Sequence, residues 1–588
     1  MKRLTLFITA LIVSTALNAQ NRSPNVLIFM VDDIGQGDIG AYNPTNKTLS
    51  PNIDKLSQGG VSFHHAHSPA SVCAPSRYAL LTGNHVYRGK LPKGTWGHEE
   101  ANQILPDQQT LADQLGKNGY HTAFFGKVHM GGYANVAEGT YKDGPFDHGF
   151  DHSLALVNGI QAPPYAFFKN GKIARFSDGD FKQLTKAQIS KHLVDLKGVK
   201  KKGKQGKKMD NYTTQSVGPL LMRDALSFLD NHYATQADKP FYIHYMSQAG
   251  HTPHKPPVAF NVKDPLDTEN LTKNGAISVK GQTVNQRTDM VYESDVAIGL
   301  FVEKLRELGQ LENTIIIYTS DNGAGKPKKY TWSNKLYKDY KDGSYGGDRF
   351  EFQDKGDKKV SHVNAQGIGL DGKALRGKKG YVYEGGHRVP LIWHWAGNKG
   401  ANTMFPANTR ITDQMISLSD VYRTVSTLAG VRVPDNQAVD SYDFSHVLVD
   451  PKPISRNNPP IREYMAIQAN RRAESQQAVK KKGHSDKSRY AWSFYDYDAD
   501  YKLWAAIISK KMDKEVLEVE GDELYLLSDD EDESEDIKGD QPKLMNSLVD
   551  AYTNFLKRPI THKGQLSTPA AVLTWMKGGD FSVREHQL

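Results

Sequence analysis

The chain has 588 residues, of which 38% are hydrophobic and 24% are charged, and its formal net charge is +8. This is the composition of a folded soluble protein, and it excludes a fibrous or an intrinsically disordered chain. A chain of 588 residues is longer than one hydrophobic core usually organises, so we expect two domains.

The N-terminus has the pattern of a secretory signal peptide. Lys2 and Arg3 precede an apolar run over residues 4–17, and the small residue Ala19 follows. We therefore expect cleavage after Ala19 and export to the periplasm or the medium. The run is short for a bilayer about 30 Å thick, and the sequence contains no longer apolar stretch, so we expect no membrane span.

Short apolar runs separated by helical patterns, such as residues 110–117, predict a large, mainly parallel sheet flanked by helices. A further run of this kind covers residues 391–395. Four runs end close to Asp, Asn, Lys or His: residues 25–31 before Asp32 and Asp33, 120–125 before Lys127, 241–246 before His251, and 314–319 before Asp321 and Asn322. Ligands of open α/β sheets bind outside the carboxyl ends of the strands, so these residues predict one composite site. A simple turn is the alternative interpretation of each single ending.

The sequence changes character after about residue 455, where four prolines between residues 451 and 460 indicate a linker. Strand-like residues 489–497 and a helical pattern over residues 545–556 predict a smaller α+β domain carrying an antiparallel sheet. We therefore divide the chain into a signal peptide (1–19), a larger α/β domain (20–455) and a smaller domain (456–588). We expect the lysine-rich residues 197–208 and the acidic residues 529–536 to be solvated loops, with polyanion binding as the alternative for the lysines.

Cys73 is the single cysteine of the chain, so no disulfide can form within it. It lies in the sequence SVCAPSR at residues 71–77, and LTG follows at residues 81–83. Cys73 could be a buried core residue or an unmodified thiolate nucleophile, and both stay as alternatives to the interpretation that follows. The pattern C-x-P-S-R with L-T-G downstream resembles the signature of the type I, formylglycine-dependent sulfatases of the alkaline phosphatase superfamily. The resemblance implies that a maturation enzyme oxidises Cys73 to formylglycine, whose hydrate supplies the attacking oxygen.

The resemblance covers most of residues 24–450 and implies a metal site. The implied metal ligands are Asp32, Asp33, Cys73, Asp321 and Asn322. Side-chain oxygen ligands favour a hard cation, and we expect Ca²⁺ in preference to Mg²⁺. Zinc would more often be held by histidine and cysteine side chains.

Further motifs imply catalytic roles. Residues 126–129 (GKVH) match the G-K-x-H segment of the family, His251 begins an H-x-P segment, and residues 375–390 resemble the stretch that leads into E-G-G-x-R. In the family, the lysine five residues before that Glu contacts the sulfate, which here is Lys379. The resemblance implies that Arg77, Lys127 and Lys379 hold the sulfate oxygens. It also implies that Asp321 takes a proton from the nucleophile, that His251 protonates the leaving oxygen and that His129 completes the second half of the reaction.

The resemblance is to bacterial polysaccharide sulfatases in particular. It implies that this exported protein hydrolyses a sulfate ester on a sulfated carbohydrate or on an oligosaccharide derived from a polysaccharide. The mild positive charge suits such an anionic substrate, and we expect no nucleic-acid partner. The long polar stretch over residues 326–371 is expected to reach over the substrate entrance. The alternatives are a phosphoester hydrolase of the same superfamily and a catalytically silent, exported glycan-binding protein.

Overall fold

The structure is a computed structural model that describes residues 23–44, 48–90, 95–195, 207–283, 285–325, 351–355, 358–362, 365, 367–370, 372–396, 405–462, 464–469, 491–497, 503–513, 516–531 and 533–557. The predicted signal peptide, most of the lysine-rich stretch and most of residues 326–371 lie outside these ranges. The predictions for those segments stay predictions.

In chain order the strands are β1 (Asn25–Val31), β2 (Val61–Phe63), β3 (Ala66–His67), β4 (His121–Lys127), β5 (Tyr133–Asn135), β6 (Thr140–Lys142), β7 (His152–Leu156), β8 (Phe167–Lys169), β9 (Lys172–Ser177), β10 (Asp180–Gln183), β11 (Leu193–Asp195), β12 (Lys207–Met209), β13 (Phe241–Met246), β14 (Ala259–Phe260), β15 (Ile277–Ser278), β16 (Thr314–Ser320), β17 (Glu351–Lys355), β18 (Lys358–His362), β19 (Leu391–His394), β20 (Thr409–Ile411), β21 (Ile416–Ser417), β22 (Tyr464–Ala469), β23 (Ala491–Tyr497), β24 (Leu503–Asp513) and β25 (Val516–Leu526).

The α-helices are α1 (Pro51–Gln58), α2 (Cys73–Thr82), α3 (Leu111–Gly116), α4 (Lys186–His192), α5 (Val217–Thr235), α6 (Gln286–Glu307), α7 (Glu384–His387), α8 (Val421–Leu428), α9 (Ser445–Val449) and α10 (Pro542–Lys557).

A large mixed sheet forms the main body of the fold. Among the described residues it has thirteen strands in the order β20-β2-β19-β16-β1-β13-β4-β7-β8-β9-β6-β5, and β10 pairs with β9. The five strands from β16 to β7 are parallel to one another. Every residue of β1, β4, β13 and β16 is buried, as expected for parallel strands covered on both faces. Helices α3 and α5 contact β4, and α1 contacts β2 and β19.

The predicted fold class, a large sheet flanked by helices, is confirmed, but the sheet is mixed, because the pairs from β7 to β5 are antiparallel. The direction of one predicted strand also needs correction. Residues 391–395 were expected to form another parallel strand, but β19 pairs antiparallel with β16, and Leu391 lies opposite Thr319. The strand β16 ends at the edge where β19 begins, so β19 must run back across the sheet. An apolar run alone carries no information about direction, and this explains the error.

The smaller part of the fold is an antiparallel sheet in the order β22-β23-β24-β25. Helix α10 packs on one face through Leu548 and Tyr552, against Phe494 and Leu524 of the sheet. The opposite face packs against the segment around Tyr383. The predicted domain boundary near residue 455 stays a prediction. No helix in the described part of the chain is both long enough and apolar enough to cross a membrane.

The acidic stretch over residues 529–536, expected to be a solvated loop, is partly buried. The side chains of Glu531 and Glu533 are only 5% and 1% exposed. His64 Nε2 lies 3.0 Å from one carboxylate oxygen of Glu531, and His65 Nε2 lies 3.3 Å from the other. The buried guanidinium of Arg388 also donates to this carboxylate at 3.4 Å. The expectation is therefore wrong for these two glutamates, because their partners come from distant segments that a run of charge does not reveal.

The tautomers of these two histidines follow from their neighbours. Arg410 donates to His64 Nδ1 at 2.7 Å, and Arg388 donates to His65 Nδ1 at 2.6 Å. A guanidinium can only donate hydrogen bonds, so each Nδ1 accepts one. Each Nε2 therefore carries the ring hydrogen and donates a hydrogen bond to Glu531. Burial lowers the pKa of His64 to about 3 and that of His65 to about 4, and the charge of Arg388 adds to this effect. Both imidazoles are therefore neutral donors that tie Glu531 to the main body.

We expect Glu531→Ala to lower the free energy of unfolding by about 1–3 kcal/mol, because it leaves the buried Nε2 donors of His64 and His65 without this acceptor. Arg388 keeps Glu384 as a partner at 3.3 Å. Denaturant unfolding of the purified protein measures the change. Glu535→Ala, which removes an exposed carboxylate of the same stretch, is the matched control and should stay within about 0.5 kcal/mol of the wild type. Equal losses in the two variants would contradict a buried role for Glu531.

Candidate active site

Four neighbouring parallel strands end at the same edge of the main sheet. Val31 at the end of β1 pairs with Ser320 of β16, and Met246 of β13 pairs with Gly126 of β4. The polar residues that end or follow these strands therefore meet, as the strand endings predict. They are Asp32, Asp33, Lys127, His129, His251, Asp321 and Asn322.

Cys73 is the first residue of α2 and faces this edge. The helix begins after Val72, whose backbone is extended, and the Cys73 side chain is buried. Arg77 lies one turn later, and residues four apart share one face of a helix. The helix ends at Gly83, which is left-handed with φ 65° and approaches Ala438 so closely that a Cβ would lie 2.4 Å from the alanine methyl. The C-x-P-S-R and L-T-G motifs therefore mark the start and the end of one helix.

Buried ion pairs link α2 to the strand ends. Arg77 donates to Asp321 Oδ2 through Nε at 2.9 Å and through a terminal nitrogen at 2.7 Å. Arg77 also donates to the backbone carbonyl of Lys127 at 2.9 Å. The Lys127 ammonium in turn lies 2.6 Å from Asp32 Oδ2. Burial raises the pKa of Asp32, but Lys127 and His251 outweigh this effect and hold the pKa well below its usual value.

Lys379 reaches the site from the loop before α7. Its ammonium lies 2.5 Å from Asp33 Oδ1 and 3.0 Å from Cys73 Sγ. The loop is held there because the Lys379 amide donates to the carbonyl of Ala324 at 2.9 Å. The neighbouring Lys378 instead places its ammonium 4.5 Å from the centre of the Tyr381 ring. The structure therefore brings Lys379, the lysine chosen from the motif, to Cys73.

The Cys73 thiol is held in a strongly electropositive environment. Burial raises the pKa of this thiol, but the charges of Lys127 and Lys379 outweigh burial and lower it to about 6. The unmodified residue is therefore largely thiolate at neutral pH. The same charges can stabilise an anion bound beside Cys73.

The two predicted catalytic histidines have opposite electrostatic surroundings. His251 donates from Nδ1 to the carbonyl of Thr252 at 2.6 Å, and its Nε2 lies 3.8 Å from Asp33 Oδ2. Burial lowers the pKa of His251, but Asp32 and Asp33 outweigh it, so the net pKa is raised. Burial and the nearby Lys127 hold the pKa of His129 well below its usual value. One histidine therefore favours the protonated form and the other the neutral form.

The side-chain atoms at this edge are suited to coordinate a divalent cation. Asp32, Asp33, Cys73 and His251 offer ligand atoms that lie within 4.8 Å of one another. Asn322 donates from Nδ2 to Asp33 Oδ1 at 2.8 Å, which fixes the orientation of its amide. Within the described part of the chain, Asp32 Oδ1 and Asn322 Oδ1 are buried acceptors that no donor satisfies. A buried acceptor without a partner is costly, and oxygen atoms are the ligands of hard cations.

Asp321, the remaining predicted ligand, lies in the same cluster but is engaged with protein donors. Its Oδ2 accepts from Arg77, and its Oδ1 accepts the backbone N–H of Asp33 at 3.3 Å. Burial raises the pKa of Asp321, and the charges of Asp32 and Cys73 add to this. His251 joins the group of nearby ligand atoms in place of Asp321, although its motif predicts a proton donor.

Sequence reasoning missed a buried pair that supports the loop after β1, which carries the predicted metal ligands Asp32 and Asp33. Arg287, near the start of α6, donates to Asp38 at 2.7 Å and to the backbone carbonyl of Asp33 at 3.1 Å. These bonds fix the backbone that carries the two predicted aspartate ligands. No motif marks either residue, because they come from segments that meet only in the folded chain.

Comparison with known proteins adds family information to this geometry. A protein-family model described as Sulfatase matches residues 24–431. An N-acetylgalactosamine-6-O-sulfatase of Bacteroides thetaiotaomicron is 26% identical over 470 residues, covering 75% of this chain and 79% of that protein. Human arylsulfatase A is 26% identical over 436 residues, covering 73% of this chain and 68% of that protein.

Solved structures share the fold. One, from work on the metabolism of multiple glycosaminoglycans by Bacteroides thetaiotaomicron, has a TM-score of 0.63 at 19% identity and covers 92% of this chain and 100% of that chain. A sulfatase from Pseudoalteromonas sp. has a TM-score of 0.56 at 22% identity and covers 92% of each chain. At these identities the likeness concerns the fold alone.

We expect Ca²⁺ to raise the melting temperature of chelator-treated protein, because an ion that binds only the folded state stabilises it by about 2.7 kcal/mol at a concentration of 100 Kd. Asn322→Leu should abolish most of this shift, since it removes a buried oxygen that lacks a donor. Asp267→Asn, in a half-buried acidic group that pairs with Lys273 on the surface, is the control and should keep the full shift. A shift that survives Asn322→Leu unchanged would contradict this site.

Proposed function

This chain belongs to the sulfatase family and is a sulfuric ester hydrolase, and we propose that it removes sulfate from a sulfated carbohydrate through a nucleophile made from Cys73. The observation that carries the proposal is the position of Cys73. It begins a buried helix and lies within reach of the Lys379 ammonium, and the charges of Lys127 and Lys379 act on it. The negative charge of a sulfate ester repels a nucleophile, and the positive charge around Cys73 would offset that repulsion.

The modified residue and the cation would supply the nucleophile. Oxidised by a maturation enzyme to formylglycine and hydrated, Cys73 offers a hydroxyl for attack on sulfur, and Ca²⁺ held by aspartate and asparagine oxygens would lower the pKa of that hydroxyl. Asp32, Asp33, Asp321 and Asn322 would hold the ion together with residue 73. The buried acceptors Asp32 Oδ1 and Asn322 Oδ1 support this assignment.

The side chains of the site divide the remaining tasks. Arg77, Lys127 and Lys379 would bind the sulfate oxygens, and their positive charge would stabilise the charge that develops on them. Asp321 would accept the proton of the attacking hydroxyl. This assignment is supported by its buried position beside Cys73, which raises its pKa.

The histidines would move protons in the two halves of the reaction. His251 would protonate the alcohol oxygen as the sulfur–oxygen bond breaks, and its Nε2 is left facing the site because Nδ1 is engaged by Thr252. His129 would later accept the proton of the second hydroxyl of residue 73, so that sulfate leaves and the aldehyde returns. Its buried Nδ1, for which the described residues provide no partner, supports this role. Water and the ester are consumed, and the alcohol and sulfate are formed.

The proposed substrate class is a sulfated sugar. The Bacteroides relative is named for N-acetylgalactosamine 6-sulfate, and a cleft with room for a sugar ring opens on each side of Cys73. The cavity on the side of Asp33 has a volume of about 460 Å³ and is lined by Lys378, Arg287 and Tyr381. The Lys378 ammonium, which lies over the buried Tyr381 ring, can meet further negative charge on the sugar. The predicted export to the periplasm or the medium is consistent with a polysaccharide substrate.

A panel of sulfated oligosaccharides, aryl sulfates and phosphate esters tests the proposed function. The wild-type protein is expected to release sulfate, and its intact mass should match an aldehyde in place of the Cys73 thiol. Cys73→Ser should end turnover, because serine lacks the second hydroxyl needed to expel sulfate. Turnover of phosphate esters alone, or full activity with an unmodified thiol, would overturn the proposal.

His251→Gln provides a separate test of the leaving-group role. Loss of a general acid should lower kcat by about 10²–10⁴ for a sugar sulfate, whose alkoxide leaves poorly. The loss should be much smaller for para-nitrophenyl sulfate, since that phenolate leaves without a proton. His148→Gln, outside both cavities of the cleft, is the control and should change neither rate. Equal losses on both substrates would assign His251 a structural role.

A further inference from the structure

We propose that the cavity on the far side of Cys73 binds free hydroxyl groups of the sugar ring that carries the sulfate. This inference rests on the proposed function and deepens it. The cavity has a volume of about 470 Å³ and is shared by Cys73, His129, His251 and Lys379 at its inner end. Its wall also includes residues 97–100, Asn158 and Gln161.

Asn158 lies where the next parallel strand of the sheet reaches the same edge. It follows β7, which pairs with β4, and the amide of His129 donates to the carbonyl of Val157 at 2.8 Å. The proposed catalytic His129 and Asn158 are therefore held side by side by the backbone. Asn158 is 5% exposed and belongs to none of the motifs described above.

The orientation of the Asn158 amide is fixed by its partners. One end of the amide lies 2.6 Å from the backbone carbonyl of Pro163 and 3.1 Å from His98 Nδ1. A carbonyl oxygen can only accept, so this end must be the NH₂ group. The opposite end, Oδ1, is then a buried acceptor, and the described residues provide it with no donor.

Gln161 adds a second acceptor to the same wall. Its Oε1 is buried and meets no donor among the described residues. Gly159 makes this arrangement possible, because a Cβ at that position would lie 2.8 Å from Gln161 Oε1 and 2.8 Å from the Lys127 side chain. Its φ of 70° is also unfavourable for other residues. The turn after β7 therefore requires glycine at position 159, because the side chains of Gln161 and Lys127 both pack against it.

The chemistry of the wall selects hydrogen-bond donors. Asn158 presents an oxygen atom, Gln161 presents a buried amide, and Glu99 and Glu100 line the same cavity. Among the described residues that line this cavity, Lys379 is the one lysine or arginine, and it lies at the inner end with Cys73. A second sulfate or a carboxylate has no proton to give and would face negative charge here. A sugar hydroxyl can donate to such oxygen atoms, so the ligand is a ring with free hydroxyl groups next to the sulfate.

A bound water could also satisfy the Asn158 oxygen, and the experiment separates the two cases. Asn158→Leu and Gln161→Leu remove the oxygens at similar side-chain size. We compare kcat/KM for a sugar sulfate that the wild type hydrolyses with kcat/KM for para-nitrophenyl sulfate, whose ring has no hydroxyl. Asn158→Leu should lower the value at least about tenfold for the sugar, as expected for a lost hydrogen bond in a closed site. The value for the aryl sulfate should change by less than about twofold, since that substrate makes no such bond.

Asn102→Leu is the matched control, because Asn102 is also buried but both ends of its amide have protein partners. It should affect both substrates alike. A binding measurement in the Cys73→Ser background removes any dependence on turnover: the Kd for the same sugar sulfate should rise about tenfold when Asn158→Leu is added.

Each other outcome overturns the inference. Equal losses on the two substrates would assign Asn158 a structural role, and no loss on either would mean that the cavity holds water only. Suppose that the wild type hydrolyses aryl sulfate and that Asn158→Leu leaves kcat/KM for the sugar sulfate unchanged. This result would refute the inference and leave the proposed function intact. A wild type that releases sulfate from no substrate would refute the proposed function itself.

Discussion

The site depends on the pairing of buried charges. Three carboxylates and three cations meet at one edge of the main sheet, and each carboxylate has a cation as its nearest charged partner. The pairs are Arg77 with Asp321, Lys127 with Asp32, and Lys379 with Asp33. Breaking a buried pair leaves an uncompensated charge, which is strongly destabilising. Because the partners come from different segments, this pairing also fixes the helix of Cys73 and the loop of Lys379 relative to the strands.

The second sheet supports this arrangement through the loop that carries Lys379. Glu384 follows that loop, and its carboxylate accepts a hydrogen bond from Tyr495 of β23 at 2.6 Å. The backbone N–H of Glu384 donates to Glu533 at 2.9 Å, and Glu531 binds the nearby Arg388. The C-terminal sheet therefore contacts the larger part close to the site. It contributes no proposed catalytic side chain, but it anchors the residues that directly follow the loop of Lys379.

The alternation of apolar runs and helical patterns was sufficient to predict the fold class and the four strands that end at the site. It also predicted α3 and α10 within a few residues. Strand direction was not predictable for β19, because an apolar run has no polarity. The burial of Glu531 was likewise missed, since the charge run at residues 529–536 resembles a solvated loop and its partners His64 and Arg388 lie far away in sequence.

The sequence by itself determined the family. The motif around Cys73, the strand endings and the lysine and histidine motifs also contain every residue proposed for catalysis, because each motif is a short pattern that can be recognised without the fold. Only the tertiary structure decided which groups meet. In the folded chain Lys379 contacts Cys73, and Asp321 pairs with Arg77. Arg287 donates to the backbone of Asp33, and Asn158 lies beside His129. Such contacts join distant segments, and their geometry depends on packing and charge pairing that no local pattern encodes.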